Sequence, residues 1–363
     1  MSKTCAYLWN HVRMHVDGTI LPCCLFDPLE GKGLEIPLIN DGIQNAFESE
    51  LFEDTRDRML SGEELPECHR CWQPENNGGG SLRLIANKVF DKHIDKPKKI
   101  RYIETALSTH CNLACRMCNE TFSSKWKLIN NPKQSVDTSV DNFELTNYDG
   151  DLSELELIKL VGGEPLIDKN HVNFLQMLFD KSKDPSNITL YYNTNGTIKP
   201  NAEILEFWKS AKAVRMLFSI DGVGRINEIL RPPHKWDTII KNIEFFKSQD
   251  INFIFNVHSA LSVLNIKHMI DVIQFSMMNF NTLPEIDFLM QPDHLSLKNL
   301  HDDYKEEIID FINTNYTNIG FDAKPLINFI NQDSDFNFTK SDIAVKEKFI
   351  TTQLKTEHIQ SVL

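Results

Sequence analysis

The sequence predicts an α/β protein in which a run of parallel βαβ units follows a small cysteine-rich module. Three observations predict it. From Ile100 onward, short strand-like runs alternate with stretches of helical period, the cadence of parallel βαβ folds. Short motifs rich in Gly, Asn and Asp stand just past the predicted strands, where active sites of such folds collect. All eight cysteines fall between Cys5 and Cys118.

Composition sets the bounds. A chain of 363 residues suggests about two domains, and 25% charged with 41% hydrophobic residues is ordinary for a globular protein. Trp9, Asn10, His11 and Arg13 stand where a signal peptide would carry its apolar core. No apolar run is long enough to cross a membrane, so a soluble cytoplasmic protein is expected. Disulfides are rare in a reducing cytosol and would be free to staple the later two thirds, so the clustered cysteines point to metal. A net charge of −13 argues against a nucleic-acid partner. The basic stretch 92–101, with Lys96, Lys98 and Lys99 around Pro97, reads as a solvated linker.

Residues 1–90 read as a unit of their own. The stretch 13–22 alternates loosely around Asp17-Gly18, a dipeptide of tight hairpin turns, and delivers Cys23 and Cys24 just beyond the second strand. Ile43, Ala46, Phe47, Leu51, Phe52, Met59 and Leu60 recur at helical spacings. A Cys68-x2-Cys71 knuckle comes next. The glycine-rich 75–83 lacks the Lys-Ser/Thr of a phosphate-binding loop and reads as a flexible connection.

Strands are predicted at 101–107, 156–161, 187–193, 213–220, 251–258 and 285–290, with helices near 121–129, 172–180, 202–212, 236–249 and 266–278. The polar stretch 131–150 is an inserted loop. Gly162-Gly163-Glu164-Pro165 follows the second strand; its glycines allow close backbone approach, and the Glu164 carboxylate can accept from an ammonium group. Asn193-Thr194-Asn195-Gly196 follows the third strand and Ser219-Ile220-Asp221-Gly222 the fourth. Arg231, in Leu230-Arg231-Pro232-Pro233, carries the planar fork that suits a carboxylate. Alone, each of these motifs is more often only a turn. Together they fall in order past successive strands.

The stretch with the most chemistry is Cys111-Asn112-Leu113-Ala114-Cys115-Arg116-Met117-Cys118. Three thiolates in a short loop can hold three irons of a 4Fe–4S cubane and leave the fourth iron open to an amine and a carboxylate. The alternatives are a zinc site completed by His110 and a buried stripe on a helix, where cysteine acts as a small hydrophobe.

The Cys-x3-Cys-x2-Cys loop followed by these motifs resembles the radical S-adenosylmethionine (radical SAM) superfamily over residues 1–292. The resemblance implies a partial (β/α)6 TIM-like barrel at 100–292, with Cys111, Cys115 and Cys118 as ligands of a SAM-binding 4Fe–4S cluster. Gly162, Gly163, Glu164 and Asn195 would serve S-adenosylmethionine, Glu164 at its amino group. Ser219 and Asp221 would take its ribose and methionyl end, and Arg231 its carboxylate. The order of first Cys, hairpin, helix and Cys-x2-Cys resembles the SPASM/twitch module, which implies a second, auxiliary 4Fe–4S cluster on Cys5, Cys23, Cys68 and Cys71. Cys24 is the alternative to Cys23, and four thiolates also suit zinc. In that family the module usually follows the barrel; here it precedes it.

The implied activity is reductive cleavage of S-adenosylmethionine to a 5′-deoxyadenosyl radical that abstracts hydrogen, most naturally from a peptide or protein. A flavodoxin or ferredoxin would supply the electron. RNA or a small metabolite is the alternative substrate, and a non-catalytic iron–sulfur carrier or zinc-stabilised binding protein the alternative class. No catalytic residue beyond the cluster ligands is assigned: His258, His268 and His294 could be acid–base groups, but a lone histidine is more often a satisfied structural one. Residues 293–363, with Leu300, Ile308, Phe311 and Ile312 in helical spacing, are expected to pack on the open side of the barrel or cover the substrate.

Overall fold

The computed structural model describes residues 3–76, 79–90, 97–133, 144, 147–316, 319, 322–354 and 362. Its centre is an eight-stranded sheet in the order β2-β1-β3-β4-β5-β6-β7-β8. The strands are β1 (His11–Met14), β2 (Ile20–Leu21), β3 (Tyr102–Ala106), β4 (Leu157–Val161), β5 (Thr189–Thr194), β6 (Ala213–Ser219), β7 (Phe253–Leu261) and β8 (Glu285–Phe288). Every neighbouring pair is parallel except β1 with β2. The six strands predicted after residue 100 are all present as β3–β8.

Alternation along each strand sorts side chains onto two faces. One face carries Ile103, Ile158, Leu190, Tyr192, Val214, Met216 and Phe218, all buried under the crossover helices. Those helices contribute residues three or four apart: Phe174, Leu175 and Leu178 from His171–Lys181, Ile204 and Trp208 from Ala202–Ser210, and Ile239, Ile243 and Phe246 from Trp236–Lys247. Asn201 caps the Ala202–Ser210 helix by accepting from the Ile204 amide at 2.9 Å. Met269–Phe280 ends on Asn281 in the left-handed region, at φ 53°. One polar group interrupts this apolar layer. The Tyr192 hydroxyl lies 2.8 Å from His171 Nε2 and accepts from Trp208 Nε1 at 2.9 Å.

The opposite face carries one row in strict register: Arg13 beside Glu104, Glu104 beside Lys159, Lys159 beside Tyr191, and Tyr191 beside Arg215. Glu285 of β8 reaches Arg215 on β6 and, at 3.3 Å, the Tyr191 hydroxyl on β5. Side chains three strands apart meet because the sheet curves around them. The row is therefore the polar lining of an open barrel.

The predicted hairpin is β1 and β2, turning at Asp17-Gly18 with Gly18 at φ 84°. It joins the barrel sheet, with β1 running parallel to β3. The join is sealed by the Arg101 amide on the Asn10 carbonyl at 2.8 Å and Arg101 Nη1 on Asn10 Oδ1 at 2.7 Å. The helical pattern at 43–60 is two helices, Ile43–Phe47 and Glu50–Leu60. The stretch read as a flexible connection ends in a helix, Leu82–Val89, because Ser81 caps it by accepting from the Leu84 amide. Residues 92–96 of the linker and 134–143, 145 and 146 of the inserted loop lie outside the described residues. Three C-terminal helices, Asp302–Asn315, Lys324–Ile330 and Lys340–Leu354, bury Ile308, Ile312, Leu326, Ile330 and Ile343 in the same core as the barrel. Among the described residues, no helix is long and apolar enough to cross a membrane.

Tyr192→Phe removes the hydroxyl that two buried nitrogens share. Urea unfolding is expected to show a loss of about 1–3 kcal/mol, the cost of orphaned buried polar groups; an unchanged midpoint would mean the two find other partners.

Candidate functional site

The loop bearing Cys111, Cys115 and Cys118 follows β3 and is held on three sides. On the first, the Gly163 amide donates to the Ser108 carbonyl at 3.1 Å and the Glu164 amide to the His110 carbonyl at 2.7 Å. This contact requires the two glycines. Gly162 sits at φ +106°, and a Cβ on Gly163 would stand 2.1 Å from the His110 oxygen. On the second side, the Ala114 amide donates to the Pro232 carbonyl and the Arg116 amide to the Leu230 carbonyl at 2.8 Å. On the third, the chain after the loop folds back over it. Ser124 Oγ accepts from the Cys111 amide at 3.0 Å, Ser123 Oγ donates to Leu113 O, and Trp126 Nε1 donates to Cys115 O, both at 3.0 Å.

Glu164 is buried beneath this cage and ties β4 to β5. Its carboxylate accepts from the Asn195 amide at 2.7 Å, the Thr194 hydroxyl at 2.8 Å and the Leu166 amide at 3.2 Å. Burial pushes its carboxyl up to about 7, against those three hydrogen bonds. Asn195 also donates to Asn112 Oδ1 at 2.9 Å, and Asn112 donates to Thr197 Oγ1 at 2.8 Å, so the loop after β5 grips the thiol loop directly. Gly162, Gly163, Glu164 and Asn195 thus stand together beside the first half of the cysteine motif.

Asp221 and Arg231 stand beside its second half. Asp221 is fully buried, and its carboxylate accepts from Arg231 Nε at 2.6 Å, the Ala260 amide at 2.9 Å and Ser259 Oγ at 3.3 Å. The Arg231 guanidinium lies with Nη1 3.7 Å from Cys115 Sγ. Burial works against its charge, but Asp221 and the neighbouring sulfurs hold it protonated. Ser219 ends β6, in register with His258 of β7. His258 pairs with Asp287 at 2.8 Å, while His268 stands apart on its turn before the Met269–Phe280 helix.

All three thiols of the loop are pushed up by burial, Cys118 to about 11, and the three repel one another as anions. A set of three thiols, Cys115 buried and Cys111 and Cys118 half-buried, beside a fixed guanidinium suits a thiolate-held iron–sulfur cluster, whose negative charge the cation offsets. Among the described residues, no three His, Cys, Asp or Glu side chains converge closely enough for a single metal ion.

A second thiol group lines an apolar cavity at the other end of the hairpin. Cys5, Cys23, Cys68 and Cys71 share its wall with Tyr7, Phe26, Met59 and Arg83. Burial raises all four, Cys5 to about 12, and neighbouring thiols add to it at Cys5, Cys23 and Cys68. Cys24 is set apart from them. Burial pushes its thiol up to about 11, and its charged neighbours are Glu104, Arg13 and Lys159 of the barrel lining. Tyr7 and Tyr102 stand between the cavity and that lining, with ring centroids 5.5 Å apart, and the Tyr102 hydroxyl donates to Glu104 Oε2 at 3.0 Å. Burial alone would raise the Glu104 carboxyl, but Lys159 at 3.3 Å and Arg13 at 3.1 Å hold it below its ordinary value.

Sequence reasoning passed over Asn112, Ser123, Ser124 and Trp126. The Ser-Ser pair twelve and thirteen residues after Cys111 carries no pattern by itself, and its role emerges only when the loop folds back.

A model of the radical SAM superfamily matches residues 105–276, and one described as an iron–sulfur cluster-binding domain, SPASM, matches residues 5–72. Among curated proteins, a GTP 3′,8-cyclase of Campylobacter jejuni is 26% identical over 221 residues, 60% of this chain and 65% of that one. A GTP 3′,8-cyclase of Nautilia profundicola is 31% identical over 132 residues, 36% of this chain and 38% of that one. The chain thus spans about 65% of the length of the Campylobacter relatives. Among solved structures, anSMEcpe with bound AdoMet is 19% identical with a TM-score of 0.43, covering 60% of this chain and 61% of that one. Streptococcus suis SuiB bound to S-adenosylmethionine is 14% identical with a TM-score of 0.38, covering 84% and 68%.

Two measurements probe this geometry. Gly163→Ala drives a methyl into the His110 carbonyl, so anaerobic reconstitution should leave the three-thiol loop without iron and the four-thiol site filled; full iron at both would show that the loop tolerates the intrusion. Glu164 has its carboxyl raised on folding, so its favourable contribution is complete below about pH 4.5 and is lost as pH rises through about 7. Glu164→Gln should therefore gain stability relative to the parent between pH 5 and 8, by up to roughly 3 kcal/mol. A gap that stays constant with pH would assign Glu164 an unshifted carboxyl.

Proposed function

Since the chain belongs to the radical SAM superfamily and carries a SPASM-type N-terminal module, we propose that it modifies a peptide or protein with a radical drawn from S-adenosylmethionine. When bound, a 4Fe–4S cluster and S-adenosylmethionine supply one-electron cleavage of the sulfonium, giving methionine and a 5′-deoxyadenosyl radical that abstracts hydrogen. The observation that carries the reading is a caged loop with three thiols, and no more, at the carboxyl ends of the strands.

Cys111, Cys115 and Cys118 would hold the cluster, and Arg231 would offset its charge. Gly162, Gly163 and Glu164 would border the amino end of S-adenosylmethionine, with Asn195 and Ser219 beside its ribose. Asp221 would act through Arg231, whose guanidinium it holds. Cys5, Cys23, Cys68 and Cys71 would hold the auxiliary cluster, separated from the barrel lining by Tyr7 and Tyr102. A cluster so placed can exchange an electron with a substrate lying in the barrel, which favours oxidation or crosslinking of a side chain. A flavodoxin or ferredoxin would be the electron donor.

A second reading, a small nucleotide substrate, is favoured by the curated relatives named for GTP and by three cations in the barrel lining: Arg13, Lys159 and Arg215.

Anaerobically reconstituted protein with S-adenosylmethionine and a strong reductant is expected to form 5′-deoxyadenosine, and Cys118→Ala none. Zinc in place of iron in freshly isolated protein would sink the proposal. GTP-stimulated cleavage with no response to candidate peptides would select the second reading. Within the auxiliary site, Cys23→Ala should lose that site's iron and Cys24→Ala should keep it; the reverse would exchange the two thiols.

A further inference from the structure

We propose that the C-terminal helix belongs to the first cluster site, with Glu347 as the positioning residue that fixes Arg116 between Cys115 and Cys118. Arg116 lies inside the cysteine motif, and its side chain has no exposure. Its backbone amide is bonded to Leu230 O, its Nε donates to Ile229 O at 3.2 Å, and its Nη1 lies 3.4 Å from Glu347 Oε2. Glu347 comes from the Lys340–Leu354 helix, 231 residues further along the chain, and it is equally inaccessible. The other carboxylate oxygen, Oε1, is 2.9 Å from Nε2 of His294, in the turn after β8. Four remote segments therefore meet around the Arg116–Glu347 pair.

An arginine keeps its charge in a protein, and a buried charge without a partner costs several kcal/mol. Glu347 supplies a carboxylate partner, and His294 fixes the orientation of that carboxylate. The pair does more than anchor a helix, because Arg116 is one residue from Cys115 and two from Cys118 along the chain, so holding its side chain holds the backbone that carries both sulfurs. The Arg116–Glu347 contact therefore sets where the sulfurs of the loop stand. That a cluster sits there rests on the reading above; the positioning does not.

The test uses the full chain with Glu347→Gln, Arg116→Met and the Arg116→Met/Glu347→Met pair. In cofactor-free protein, iodoacetamide labelling is followed thiol by thiol. Glu347→Gln is expected to label Cys115 and Cys118 several-fold faster than the parent, with Cys68 and Cys71 unchanged. The double variant, with no buried charge left over, should return most of the protection. A helix that only anchors would leave Cys115 and Cys118 labelling at the parent's rate in Glu347→Gln, and that result overturns the proposal. So does labelling that rises equally at all thiols, which would report general loosening. Parent protein without iron on this loop would remove the cluster reading while leaving the labelling result to decide the positioning role.

Discussion

The constraint on which the rest depends is the burial of a loop whose sulfurs must face inward together. Such a loop has too few residues to satisfy its own amides and carbonyls, and a buried backbone group left unpaired is costly. It borrows partners from three neighbours: the Gly163 and Glu164 amides, the Leu230 and Pro232 carbonyls, and the side chains of Ser123, Ser124 and Trp126. Each bond contributes only about 1 kcal/mol net. Their joint effect is geometric, since each fixes a different stretch of the same short segment. Gly162 and Gly163 follow from this, because no side chain fits between the two loops. The burial of Glu164 follows as well, since it joins the strand ends that carry both partners.

Charge is arranged on the same principle. Two buried arginines flank the thiol loop, and each has its own carboxylate: Arg231 with Asp221, and Arg116 with Glu347. Losing one member of such a pair costs about 3–5 kcal/mol, so the carboxylates are as much a part of the site as the cations. Asp221 carries this furthest. It spends its carboxylate on Arg231, the Ala260 amide and Ser259, and so joins the loop after β6 to β7 while orienting a guanidinium toward Cys115. Its carboxylate is thus committed to three donors of the protein itself.

Much of this was legible before any fold was in hand. β3–β8 stand within a few residues of their predicted positions, because strand and helix periods are local properties and the turn motifs punctuate them. The placing of Cys23 with Cys5, Cys68 and Cys71, against Cys24 with Glu104, was not legible, since which way two adjacent side chains point is set by the turn they share after β2. The Arg116–Glu347 contact joins positions 231 residues apart and leaves no periodic trace. The Leu82–Val89 helix was masked by the glycines before it. Composition over 75–83 says loop, while the serine cap that starts the helix is one residue.

The order of the modules follows from where the hairpin docks. A module placed ahead of the barrel must reach it without crossing the sheet, and connections in such folds stay short and uncrossed. Here β1 adds to the edge of β3, the first barrel strand, and runs parallel to it. The chain therefore leaves the module and enters the barrel on the same side. The register then places Arg13 next to Glu104, so the N-terminal segment supplies part of the barrel's polar lining as well as the second thiol group. Tyr7 and Tyr102, one from each segment, close the space between them. The N-terminal module is thus a wall of the barrel interior, and any chemistry performed there is bounded on one side by residues that precede the barrel in sequence.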